Sequence, residues 1–119
     1  MNKLYTSLLT VEFIFAAIVF IILFFVSAPY GRFIRKGWGP VLSARWAWFL
    51  QEFPAFAVIL GCFLYFEAWT NPINWLFILV WELHYAHRTF VYPFQFGSGG
   101  KPYPALLVIF AIIFNSING

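Results

Sequence analysis

Residues 6–27, TSLLTVEFIFAAIVFIILFFVS, form an apolar run with Glu12 as its single charge, long enough to satisfy the roughly 20 residues that cross a bilayer as a helix. The rest of the chain agrees with that reading. Of 119 residues, 63% are hydrophobic, 24% aromatic and only 9% charged, and the mean hydropathy is +0.84. Such a composition leaves too little polar surface for a soluble domain and implies packed membrane helices with aromatic interfacial anchors. A secretory leader is the competing reading of the first span. It is disfavoured because the segment before the run holds only Lys3, Glu12 interrupts the run, and Val26-Ser27-Ala28 is a loose cleavage match.

Three further spans follow. Pro29, Tyr30 and Gly31 break the first, and a basic stretch carrying Arg32, Arg35 and Lys36 leads to a second helix predicted over residues 44–66, with Pro54 inside it. Thr70-Asn71-Pro72 signals a turn, with Pro72 well placed to start a third helix at 73–94. After Gly97-Ser98-Gly99-Gly100 and Lys101-Pro102, a fourth span covers 103–119. The fold class expected is therefore all-α, a polytopic bundle of four spans in one membrane-embedded region. The fourth span is barely of bilayer length, which favours a chain truncated from a longer protein.

Basic residues concentrate in the first and third connections, so loops 28–43 and 95–102 are expected on the cytoplasmic side. The net charge of +3 is explained by that asymmetry and excludes a nucleic-acid partner as its cause. The lipid bilayer is the expected environment, a bacterial inner membrane on general character, with the endoplasmic reticulum as the alternative. Cys62, alone in an apolar run, excludes an intrachain disulfide framework and a thiolate metal cage.

Polar residues within oily spans mark candidate chemistry, because burying them is costly unless they are paired or line a cavity. In the third span, His84-Tyr85-Ala86-His87-Arg88-Thr89-Phe90-Val91-Tyr92-Pro93-Phe94 sets Tyr85 and Arg88 three apart, and His84, Arg88 and Tyr92 in steps of four. A metal site at His84, His87 and Glu82 is disfavoured, since no second histidine-bearing segment exists to complete it. Interfacial capping by His84, His87 and Arg88 is the plainer alternative. In the second span, Arg45, Trp48 and Glu52 share a face that must look inward. Desolvation there favours a protonated Glu52, able with Tyr85 to donate to a carbonyl oxygen and polarise an enone. The competing reading is an ion pair of Glu52 with Arg45 or Arg88 that fixes helix packing.

Three blocks together resemble the amino-terminal half of the steroid 5α-reductases. They are Ala44-Arg45-Trp46-Ala47-Trp48-Phe49-Leu50-Gln51-Glu52-Phe53-Pro54, then His84-Tyr85-Ala86-His87-Arg88-Thr89-Phe90-Val91-Tyr92, then Gly100-Lys101-Pro102-Tyr103-Pro104-Ala105, with Asn118-Gly119 similar to a family Asn-Gly pair. The resemblance implies the first part of a seven-helix membrane reductase that uses NADPH to reduce the C4–C5 double bond of a 4-ene-3-one steroid. It places Glu52 and Tyr85 as catalytic residues at the 3-keto oxygen. Trp48, Gln51, Arg88 and Phe114 fall at substrate positions, and Lys101 and Asn118 at cofactor-binding ones. Phe110 departs from the family, standing where human-type enzymes carry a basic residue. Most NADPH contacts would come from helices beyond residue 119, so this chain alone is expected to be inactive. Alternatives are a related membrane enoyl-CoA or polyprenol reductase, or a non-enzymatic four-helix membrane subunit.

Overall fold

The computed structural model describes residues 2–28, 36–97 and 100–118. The break at Pro29, Tyr30 and Gly31, the basic residues Arg32 and Arg35, the Ser98-Gly99 pair and Gly119 lie outside the described residues. Helix α1, Lys3–Phe25, starts one turn earlier than the apolar run alone predicts, because the Asn2 side chain caps it by accepting from the Leu4 N–H at 3.1 Å. No residue of α1 is buried, although its mean hydropathy reaches 2.8. Helix α2, Ala44–Tyr65, is the second helix long and apolar enough to cross a membrane.

Helix α3, Pro72–Ala86, begins with Pro72 in its first turn and Asn71 capping the Ile73 N–H at 3.1 Å. The expected span to residue 94 is helical but not α-helical throughout. His87–Val91 forms a π-helical turn, closed by the Tyr92 N–H on the His87 carbonyl, and Tyr92–Gln95 a 3-10 turn. Pro93 explains the change: it has no N–H for the Thr89 carbonyl, and in an unbroken α-helix its ring would collide with that carbonyl. Widening the preceding turn by one residue relieves the conflict.

The all-α expectation needs one correction. Val41–Ser43 (β1) and Pro102–Pro104 (β2) pair antiparallel, Val41 opposite Pro104 and Ser43 opposite Pro102, and the Ala105 N–H extends the ladder to the Pro40 carbonyl at 2.8 Å. The end of the loop expected at 28–43 is thus joined to Pro102 and to the first two residues of the fourth span expected at 103–119, and helix α4, Ala105–Asn118, starts only after the ribbon. Three-residue strands are too short for alternation to show, and prolines are confined to edge strands, which are the only strands a two-stranded ribbon has.

Packing centres on α2. Ala44, Ala47, Gln51 and Ala55 lie buried on one stripe, and small side chains there let backbones approach closely. Pro54 leaves the Leu50 carbonyl without its helical donor, and two other carbonyls of this part of α2 accept from neighbouring helices. Asn115 Nδ2 of α4 donates to the Gln51 carbonyl, and Trp81 Nε1 of α3 donates to the Ala55 carbonyl at 3.0 Å. These bonds fasten both neighbours to one turn of α2.

Two substitutions probe this arrangement. Asn115→Leu removes the α4 fastening and should lower unfolding free energy by about 1 kcal/mol in detergent unfolding titrations. Gly100→Ala meets a left-handed backbone (φ +75°) and a Cβ 2.8 Å from the Ala44 Cβ, so a loss of about 1–3 kcal/mol is expected by the same measurement.

Candidate functional site

Glu52, 7% exposed, projects from the middle of α2 toward the π turn. Arg88 answers it in bidentate fashion: Nη2 donates to Oε1 at 2.7 Å and Nε to Oε2 at 3.1 Å. Such a two-point fork fixes orientation as well as charge. The guanidinium also lies over the Trp48 ring, 5.2 Å from its centroid, and Tyr92 braces that ring edge-on at 5.4 Å. Tyr85 and Tyr92 both lie close enough to interact electrostatically with the guanidinium. Tyr85 is further packed against Trp81, ring centroids 4.7 Å apart.

Of the two readings the sequence leaves open for Glu52, the geometry carries the ion pair, with Arg88 as the partner. Arg45, the other candidate partner, is turned away: its Nη2 donates to the Phe96 carbonyl at 3.1 Å and its guanidinium lies 5.8 Å from the Phe94 centroid. Of the face expected for Arg45, Trp48 and Glu52, Trp48 and Glu52 meet Arg88, while Arg45 reaches Phe96 instead.

Other expected site residues stand elsewhere. Gln51 is buried beside Glu52, with its backbone carbonyl held by Asn115. Phe114 lines a cavity of about 280 Å³ between α1 and α4, with Val11, Glu12 and Phe15 on the opposite wall. Glu12 Oε1 is buried there without a hydrogen-bond partner among the described residues. Lys101 and Asn118 are both exposed and flank opposite ends of α4, about 20 Å apart at helical rise. They share no cradle. A third site, about 350 Å³ between α2 and α3 near Cys62, Phe63 and Trp81, is almost wholly apolar. His84 and His87 are exposed, and among the described residues no three ligating side chains gather. Sequence reasoning missed Asn115, whose signal was a lone amide in an otherwise apolar run, and the fully buried Thr89 beside Arg88.

Breaking the pair from one side leaves an uncompensated charge. Glu52→Leu and Arg88→Met should each destabilise the fold, the double variant should recover part of the loss, and a double-mutant cycle in detergent should give a coupling of about 1–3 kcal/mol, since Arg88 is only partly buried.

A scan against protein-family profiles gives no match. Curated proteins do match. The chain is 36% identical over 104 residues to the steroid 5-alpha-reductase DET2 of Arabidopsis thaliana, covering 83% of this chain and 40% of that protein. It is 33% identical over 117 residues to 3-oxo-5-alpha-steroid 4-dehydrogenase 1 of Bos taurus, covering 95% and 45%. To 3-oxo-5-alpha-steroid 4-dehydrogenase 2 of Homo sapiens it is 42% identical over 79 residues, covering 66% and 30%. The chain spans less than half the length of these relatives. By sequence it belongs to the steroid 5α-reductase family.

Proposed function

We propose that this chain is the carbonyl-polarising part of an NADPH-dependent 3-oxo-steroid 5α-reductase, acting on the C4–C5 double bond of a 4-ene-3-one steroid. The single observation that carries the reading is the buried Glu52–Arg88 pair with Tyr85 one turn away. It occurs in a chain homologous to enzymes named for 3-oxo-5-alpha-steroids. An enone takes a nucleophile at its β-carbon only as readily as its oxygen accepts the displaced electron pair. Fixed donors and a nearby cation, held in a site of low dielectric, stabilise that developing charge, and one such donor is commonly worth about 10²–10³ in turnover. Trp48 supplies an aromatic wall suited to a flat, apolar ligand.

NADPH would supply the hydride, and Lys101 and Asn118, at opposite ends of α4, are the residues of this chain that the resemblance places toward it. The 119-residue polypeptide alone is proposed to bind an enone without reducing it. All four helices are proposed to span a membrane as the first part of a seven-helix bundle, α3 with the help of its π and 3-10 continuation. The ribbon-bearing end is proposed to be cytoplasmic. A bacterial inner membrane is the proposed location, with the endoplasmic reticulum as the alternative.

The test is 4-ene-3-one reduction by the parent enzyme in membranes supplied with NADPH. Glu52→Gln and Tyr85→Phe should each lower turnover about a hundredfold or more. Near-normal rates in both would retire the reading.

A further inference from the structure

We infer that Glu82 stands behind Tyr85 as its proton source: the Glu82 carboxyl returns to the Tyr85 hydroxyl the proton that each enone reduction consumes. The inference rests on the carbonyl-polarising reading above, with Tyr85 at the enone oxygen, and adds a residue which that reading does not use.

Glu82 is a buried acid that bonds nothing. Both its carboxyl oxygens are shut off from solvent, and neither has a hydrogen-bond partner among the described residues. A buried carboxyl stabilises a fold through an ion pair or hydrogen bonds, and one with neither is a net cost. Glu52 shows the contrast, with both oxygens engaged by Arg88. An ionisable group kept in an oily helix without such partners marks function rather than packing.

Its neighbours on α3 assign that function. Ile78 is buried, Trp81, Glu82 and Tyr85 are half-buried, and Leu83 and His84 are exposed, so Glu82 and Tyr85 share the inward face. Trp81 Nε1 fixes that face against α2 through the Ala55 carbonyl. Side chains three apart on a helix have Cβ atoms about 5–6 Å from one another. They also lean toward the helix amino terminus, and the Tyr85 ring does so, lying against Trp81 with centroids 4.7 Å apart, over the turn that carries Glu82. One bridging water closes a gap of that size.

The chemistry requires a resupplied donor. When the β-carbon accepts hydride from the nicotinamide donor, the displaced π electrons move to the carbonyl oxygen, which takes the Tyr85 hydroxyl proton to give an enol. The Glu82 O–H bond then breaks to restore the Tyr85 hydroxyl, and the carboxylate regains a proton from water. Ketonisation exchanges the enol proton for one on the α-carbon, so that one hydride and one proton have added across the double bond. Without Glu82, each turnover would leave Tyr85 as a phenolate in apolar surroundings with no donor behind it. Glu82 touches no substrate in this scheme and acts through Tyr85.

The experiment is steady-state 4-ene-3-one reduction by the parent enzyme in membranes supplied with NADPH, in H2O and in D2O, with enone affinity of the whole 119-residue chain in lipid nanodiscs measured in parallel. Glu82→Gln keeps the side chain's shape and has no proton to relay. It should lower kcat about tenfold or more, leave KM and enone affinity unchanged, and enlarge the solvent deuterium isotope effect as proton supply becomes limiting. Glu82→Asp should recover part of kcat. A native kcat in Glu82→Gln overturns the inference and leaves the carbonyl-polarising reading standing. A loss in which KM and affinity worsen while the isotope effect stays put does the same, because it reports a structural role. A native kcat in Tyr85→Phe removes the reading and the inference together. Should Glu82→Gln fail to fold, Glu82→Asp decides: a lowered kcat with an enlarged isotope effect supports the inference, and native values for both overturn it.

Discussion

One turn of α2, residues 51–55, is the constraint on which the rest of the molecule depends. Its carbonyls at Gln51 and Ala55 accept from Asn115 and Trp81, and its Glu52 carboxylate accepts from Arg88. Pro54 lies within this turn and leaves the Leu50 carbonyl without its helical donor. The neighbouring helices α3 and α4 are thereby located by directional bonds, which a purely apolar interface cannot supply.

The second proline device is Pro93. It converts the end of the third helical segment into a π turn and then a 3-10 turn, and the site arginine sits within that widened turn. Within that turn Arg88 meets Glu52, and Tyr92, directly after it, meets Trp48. The ribbon of β1 and β2 closes the same end of the bundle, tying the segment before α2 to the segment before α4. The Glu52–Arg88 pair at the candidate site also holds α2 to the π turn.

Legibility followed interaction range. The helices at α1, α2 and α3 were readable because apolar length and turn signals are local properties. Glu52, Trp48 and Arg88 were readable as candidates because polar groups in oily segments stand out. The partner of Glu52 was not, because the sequence does not give the distance to Arg88 or to Arg45. Asn115 was passed over for the same reason: a lone amide becomes meaningful only opposite the carbonyl it serves.

The amino-acid sequence by itself determined a predominantly helical chain of membrane-like composition and, through three blocks of residues, the steroid 5α-reductase family. Composition and short-range spacing carry that information without reference to partners. Only the tertiary structure decided that Glu52 is ion-paired with Arg88, that Val41–Ser43 and Pro102–Pro104 join as strands, and that Phe114, Lys101 and Asn118 stand apart from that pair. The pair and the ribbon depend on groups distant in sequence arriving within about 3 Å, where hydrogen-bond and ion-pair energies change steeply with distance and angle.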